Sequence, residues 1–228
     1  MRGIPRLDLR RLIGSLLLAL SVIFASPALA QTANVLIKLP TDAQTPESLA
    51  ATLASWRQSG QVSDAIWLES AQQSGAAFDK IIALEFPTEG SYQAWVREGQ
   101  PKLGTPLVIT RVDVLTHGVK TPRDSNNSGF KINMYEPTAT EAKQREFATG
   151  YIKPLMDGQI AGKLLMRYTM YLERGAGGKT WLLMEYRDPV AFEKSEEYKS
   201  VLRPKLLKEN ATYAAFDRSK DSLRTTGP

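Results

Sequence analysis

Short runs of alternating apolar and polar residues recur along the chain and predict β-strands, because successive side chains of a strand point to opposite faces. Helical spacing fills two gaps in the first half, from Thr45 to Gly60 and from Thr88 to Gly99. The predicted order there is β-α-β-β-α-β. The strands of this half are predicted in four segments: Asn34–Leu39, Val62–Ala71, Asp79–Phe86 and Leu107–Leu115.

The same order of elements begins again in the second half. Two helices are predicted there, one from Thr138 through Leu155 and one over Asp188–Asn210. A glycine-rich turn at Gly175–Gly178 joins two strands as a hairpin. The strands are predicted in Phe130–Glu136, Leu164–Glu173 and Lys179–Arg187, with a weak strand near Ser222–Thr226 that completes the repeat.

Between the halves, Gly118–Gly129 is polar and has no periodicity, which is typical of a linker. This divides the chain into a first unit over 31–117, a linker over 118–129 and a second unit over 130–228.

Two tandem β-α-β-β-α-β units of about 90 residues fit the ferredoxin-like arrangement, in which two helices cover one face of a four-stranded antiparallel sheet. In element order, unit size and open-face pattern the chain resembles the dimeric α+β barrel superfamily, with both halves in one chain. The resemblance implies an α+β fold with two separate four-stranded sheets packed face to face. That superfamily includes cofactor-free monooxygenases, haem enzymes, isomerases and small binding proteins, and a fold alone does not select among them.

The first thirty residues have the pattern of a secretory signal peptide. Four arginines precede the apolar run Leu12–Phe24, and Ala28-Leu-Ala30 forms an A-x-A cleavage pattern. The run is shorter than the roughly 20 residues that a membrane-spanning helix needs. We therefore expect cleavage after Ala30, a periplasmic or secreted protein, and no membrane contact after cleavage.

Charge and composition narrow the possible partners. The net charge is +5, of which the four arginines and Asp8 of residues 1–30 supply +3, leaving +2 on residues 31–228. This balance argues against a nucleic-acid-binding face. The chain has no cysteine and one histidine, so we expect no disulfide, no metal site and no cofactor. A small organic ligand is the expected partner, with the protein a monomer or a homodimer.

Strand alternation predicts which residues line the space between the two sheets. The more apolar set of each strand is expected to pack under the helices, which leaves polar and aromatic side chains for the inner face. In the second unit this set is Lys131, Asn133, Tyr135, Arg167, Tyr171, Trp181 and Glu185. In the first unit it is Lys38, Trp67, Glu85 and Arg111.

The charged members of this set have three possible roles. They can pair across the sheets and stabilise the interface, because buried charges require partners. They can form a small-molecule pocket together with the aromatic residues. They can also take part in catalysis, although no catalytic motif is present and no catalytic residue is assigned.

Two more specific motifs, a phosphate-binding loop and a haem ligand, are rejected on inspection. Gly175–Thr180 resembles part of a phosphate-binding loop. However, this segment joins two strands, and the position of the first glycine that the motif requires is occupied by Glu173. His117 could ligate haem iron, as in some barrel relatives, but it lies beside the linker without a recognisable partner and is interpreted as a loop residue.

Three functions therefore stay open. The first is an exported small-molecule-binding or accessory protein that uses the inter-sheet cavity. The second, implied only by the resemblance, is a cofactor-independent monooxygenase or isomerase in which a tyrosine or arginine stabilises an oxyanion. The third is a non-catalytic assembly module that pairs with another copy.

Overall fold

The alternating segments form eight β-strands in a computed structural model, which describes residues 32–39, 48–69, 80–103, 107–119, 128–208 and 210–226. The predicted signal peptide lies outside the described residues. The strands are β1 (Ala33–Leu39), β2 (Asp64–Glu69), β3 (Lys80–Phe86), β4 (Val108–Val119), β5 (Gly129–Tyr135), β6 (Leu165–Glu173), β7 (Thr180–Tyr186) and β8 (Lys220–Thr226).

Helices connect the strands and lie on one side of the sheet. They are α1 (Ser48–Gln58), α2 (Glu89–Glu98), α3 (Glu141–Phe147), α4 (Lys153–Ala161), α5 (Pro189–Leu207) and α6 (Ala211–Arg218). A 3₁₀ turn over Gln100–Leu103 follows α2, and a π-helical turn over Ala148–Ile152 joins α3 to α4. Among the described residues, no helix is long and apolar enough to cross a membrane.

The strand order identifies two equivalent halves. The sheet runs β2-β3-β1-β4-β6-β7-β5-β8, and every neighbouring pair is antiparallel. Each set of four strands has the ferredoxin-like order, so the predicted fold class is confirmed: two tandem ferredoxin-like units build an α+β barrel.

The prediction of two separate sheets is wrong, because β4 pairs with β6 and joins the units into one eight-stranded sheet. The start of β4 pairs with β1 up to Val112, and the stretch from Val112 to Val119 pairs with β6. This pairing satisfies backbone groups that a sheet edge would leave unpaired. The two outer strands β2 and β8 come within 8 Å, Cα to Cα, so the sheet is curled. Gly118 and Val119, predicted in the linker, belong to β4, and Gly129 begins β5.

Buried side chains form three clusters. One lies under α1 and α2 around Trp56, Phe86 and Trp95, and a second lies under the helices of the second unit around Phe147 and Tyr151. The third fills the middle of the barrel. Its members come from both units: Leu36, Ile66, Leu68, Ile81, Ala83, Val112, Phe130, Ile132, Tyr171, Trp181 and Leu183. The two units therefore share a common interior.

Gly118→Ala is expected to weaken the seam between the units. An added Cβ would lie 2.5 Å from Tyr168 Cε1 and 2.9 Å from Ile160 Cδ1. Tyr168 is buried and its hydroxyl donates to Asp157 at 2.8 Å, so its ring has little room to move. We expect a loss of about 1–3 kcal/mol in the free energy of unfolding, measured by urea titration.

Gly129→Ala is the matched control, because an added Cβ there meets nothing within 4 Å. Its effect should stay within about 0.5 kcal/mol of the wild type. Equal losses in both variants would contradict a specific close approach at Gly118.

Candidate functional site

One end of the barrel opens into a cavity of about 460 Å³. Its wall is formed by strands of both units, so it exists only where β4 and β6 bring the inner faces together. Polar residues of the wall include Asn34, Asp64, Glu85, His117, Arg167, Thr169, Tyr171 and Glu185. Apolar residues of the wall include Ile66, Ala83, Val114 and Leu183.

Strand register places three polar residues side by side on the first unit's wall. Glu85 on β3 lies opposite Asn34 on β1 and opposite Asp64 on β2. Directly paired side chains of antiparallel strands have Cβ atoms about 4.5–5.5 Å apart. The row is therefore a continuous polar strip across three strands.

Arg167 connects the two units across this cavity. Its Nε donates to Glu185 Oε2 at 2.5 Å within the second unit, and its Nη1 donates to Asp64 Oδ2 at 2.5 Å in the first. Glu185 is the more buried carboxylate, with 4% of its side chain exposed. An arginine that bridges two partly buried carboxylates is a structural ion pair, which the sequence left open as one role for these residues.

Two of the three nitrogens of the Arg167 guanidinium, Nε and Nη1, are engaged by this arrangement. Burial would lower the pKa of Arg167, but the carboxylates of Asp64 and Glu185 raise it above its usual value. Its Nη2 is buried and has no hydrogen-bond partner among the described residues. Arg167 therefore stays charged, and its charge is already compensated twice.

Tyr171 is the aromatic member of the cavity. It is 7% exposed, and burial raises the pKa of its phenol well above the usual range. The carboxylates of Glu85 and Asp64 act in the same direction, because a negative charge disfavours a phenolate. Tyr171 is thus a neutral hydroxyl that can donate or accept a hydrogen bond.

Glu85 and Asn34 are two side chains of the wall that the fold leaves uncommitted, in addition to Nη2 of Arg167. Within the part of the chain that the structure describes, neither side chain takes part in a hydrogen bond or ion pair. Both line the cavity, and Asn34 is 5% exposed. These groups can contact a molecule in the cavity without breaking an existing interaction.

The interpretation of His117 as a loop residue is wrong, because it belongs to β4 and lines the cavity beside Val119. A register shift between Val114 and Thr116 interrupts the alternation of β4. Val112 and Val114 face inward before the shift, and His117 and Val119 face inward after it. A β-bulge changes the parity of a strand and leaves no clear signal in one sequence.

The predicted site residues do not form one site. Glu85, Arg167, Tyr171 and Glu185 meet at the cavity. Lys38 and Trp181 lie at the other end of the barrel, where Glu173 accepts from Lys38 Nζ at 3.0 Å and from Trp181 Nε1 at 2.9 Å. Lys38 Nζ is 5.0 Å from the Trp181 ring centroid. Lys38, Glu173 and Trp181 therefore fill the end of the barrel that lies away from the cavity.

The orientation predicted for β5 is reversed. Lys131, Asn133 and Tyr135 lie on the helix side, where they border a narrow space of about 30 Å³. Lys131 Nζ is 3.1 Å from Glu196 Oε1, and the ring of Tyr135 packs on Phe147. Both faces of β5 are buried. The apolar character of its side chains therefore did not distinguish the face toward the barrel interior from the face toward the helices.

Trp67 and Arg111 also lie outside the cavity. Trp67 packs against the cluster under α1 and α2. Arg111 forms a two-point contact with Glu89 on α2, at 2.9 and 2.7 Å. Its hydrogen bonds lower the pKa of Glu89 to about 2. Arg111 therefore ties β4 to a helix and has no part in the cavity.

The cavity does not have the geometry of a metal centre. Among the described residues, no group of three or more His, Asp or Glu side chains could hold a metal ion. Asp64 and Glu185 are also already paired with Arg167.

Comparison with solved structures shows how widely this architecture occurs. A protein from Fusobacterium nucleatum, provisionally described as a monooxygenase, aligns with a TM-score of 0.56 at 11% identity over 86% of this chain and 91% of its own. A protein from Lactobacillus acidophilus, described in the same way, aligns with a TM-score of 0.56 at 11% identity over 86% and 93%. An anthrone oxidase-like protein aligns with a TM-score of 0.54 at 8% identity over 87% and 92%.

The chain has a ferredoxin-like α+β barrel fold. At these identities the likeness concerns the fold alone. No family model matches the chain, and no curated protein matches it.

Arg167→Met is expected to destabilise the barrel, because it leaves Asp64 and Glu185 without their cation. Only 19% of the Arg167 side chain is exposed, so water compensates the two carboxylates incompletely. We expect a loss of about 3 kcal/mol in the free energy of unfolding, measured by urea titration.

The control is Arg97→Met, since Arg97 lies exposed on α2. Its effect should stay within about 0.5 kcal/mol of the wild type. An Arg167→Met variant as stable as the wild type would rule out a structural role for the cross-barrel ion pair.

Proposed function

We propose that this chain is an exported protein that binds a small organic molecule in the open end of its barrel. The observation that supports this best is the cavity of about 460 Å³ with the uncommitted side chains of Asn34 and Glu85 in its wall. Cavities of roughly 300–1,000 Å³ with a few placed polar groups are typical of small-molecule sites. No cofactor is part of the proposal.

Export is proposed from residues 1–30 alone. Their basic start, apolar run and A-x-A ending are typical of a cleaved secretory signal. The compartment would be the periplasm or the external medium. A binding protein there needs no disulfide if its core is large, and three buried clusters supply that core.

The cavity supports binding better than catalysis or assembly. Oxyanion stabilisation is strongest with an uncompensated cation, yet the charge of Arg167 is compensated by two carboxylates. An assembly module would need an inner face left open for a second copy. In this chain the inner faces of the two units cover each other.

Ala83→Phe tests whether the cavity is the binding site, because Ala83 lies in its wall and a phenyl group there would occupy part of the space. Wild-type protein purified from its own compartment should retain a small molecule in native mass spectrometry. If no molecule is retained, members of a fragment library should bind and shift the NMR signals of Thr169 and Leu183. Ala83→Phe should weaken that binding about tenfold or more.

Ala54→Phe on the exposed side of α1 is the matched control and should bind like the wild type. Circular dichroism would verify that both variants are folded. The proposal fails if no molecule shifts the cavity signals, or if Ala83→Phe binds as well as Ala54→Phe.

A cofactor-independent monooxygenase is the second candidate. It is favoured by one observation, that two solved structures with this fold are provisionally described as monooxygenases and a third as anthrone oxidase-like. In this chain the hydroxyl that could act on a bound substrate is that of Tyr171. The excess of carboxylates in the wall disfavours an anionic intermediate.

Oxygen uptake with anthrone as the substrate, measured with an oxygen electrode, distinguishes the two candidates. A binding protein should show no oxygen uptake above the rate of anthrone in buffer. Uptake by the wild type that Tyr171→Phe abolishes, with unchanged unfolding, would instead support the monooxygenase. Arg97→Met provides a control for nonspecific effects of mutation.

A further inference from the structure

We propose that the cavity selects a small organic cation, a primary ammonium compound, over neutral and anionic molecules of the same shape. This inference rests on the proposed binding function and adds the chemical class of the ligand. Four observations support it: the charge balance of the wall, the like-charged neighbours Asp64 and Glu85, the unpaired amide of Asn34, and the apolar surface around them.

The wall of the cavity carries more negative than positive groups. Asp64, Glu85 and Glu185 supply three carboxylates, and Arg167 supplies the one lysine or arginine charge among the described lining residues. The charges of these four side chains sum to −2. A cavity with walls of low polarity concentrates the field of such groups and attracts ligands of the opposite sign.

The arrangement of these charges leaves one carboxylate uncompensated. Arg167 lies between Asp64 and Glu185, and its donors Nη1 and Nε are used there. Glu85 is the direct cross-strand neighbour of Asp64. Like charges at directly opposed positions destabilise a sheet, so a cation bound at Glu85 would relieve this repulsion.

Asn34 supplies the second contact. Asn34 on β1 is the cross-strand neighbour of Glu85 on the side away from Asp64. Only 5% of its surface is exposed. Its side-chain amide lines the cavity and has no hydrogen-bond partner among the described residues. An ammonium group can donate both to the amide oxygen of Asn34 and to the Glu85 carboxylate.

The rest of the wall favours an organic cation over a metal ion. Ile66, Ala83 and Leu183 offer apolar surface next to the polar row, and Tyr171 offers an aromatic ring. The described residues contain no carboxylate and histidine cluster with metal-binding geometry. A primary ammonium group with an attached hydrocarbon or aryl group fits both parts of the wall.

The test uses three probes of nearly equal shape and different charge: benzylammonium, benzyl alcohol and benzoate. Each is titrated into the protein by isothermal calorimetry, and NMR signals of Thr169 and Leu183 report whether the cavity is the site. Benzylammonium should bind about tenfold or more tightly than benzyl alcohol, and benzoate should bind least. Added salt should weaken the benzylammonium complex.

Variants of the polar row identify the contacts. Glu85→Gln keeps the size of the side chain and should weaken benzylammonium about tenfold while leaving benzyl alcohol unchanged. Asn34→Leu removes the amide and should also weaken benzylammonium. Glu98→Gln, on the exposed end of α2, removes the same charge outside the cavity and should have no effect.

The outcomes separate this inference from the proposed function. If benzyl alcohol or benzoate shifts the cavity signals as strongly as benzylammonium, the binding function stands and charge selection is wrong. Charge selection is equally wrong if Glu85→Gln and Glu98→Gln bind benzylammonium alike, or if none of the probes binds. The binding function is then decided separately by the retained molecule and by Ala83→Phe.

Discussion

Backbone pairing between β4 and β6 is the constraint on which the rest of this structure depends. Each unit is a four-stranded sheet with helices on one face, and such a sheet leaves its second face and its edges without partners. By continuing to Val119, β4 provides hydrogen bonds for the edge of the second unit. The same pairing turns the two open faces toward each other. One contact therefore supplies hydrogen bonds to the edge and buries the apolar faces.

The interior that results is divided along the barrel axis. Apolar side chains of both units fill the middle, and ionic groups lie toward the ends, where Glu173 accepts from Lys38 and where Arg167 bridges Asp64 and Glu185. Partly exposed ends tolerate charge better than the middle does, because water reduces the desolvation cost. The end with Arg167 differs in one respect, since its carboxylates exceed its cations and its centre is open.

This imbalance is the feature with functional meaning. A purely structural ion network would match its charges and fill its space, as the Lys38 cluster does with Trp181. The cavity instead keeps an acid at Glu85 and an amide at Asn34 that have no partner among the described residues. Fold neighbours described as monooxygenases have the same scaffold, but the scaffold does not determine what these side chains do. The chemistry of the wall favours recognition of a cation.

The sequence alone determined the element order, the tandem repeat and the fold class, because periodicity of apolar residues and turn residues are local properties. Alternation along β3 and β6 also indicated inner residues such as Glu85 and Arg167. Three features were decided only by tertiary structure. The two sheets became one, β5 with two buried faces turned Lys131 toward the helices, and a bulge in β4 brought His117 to the cavity. Each depends on contacts between distant segments, and neither composition nor alternation within a segment carries that information.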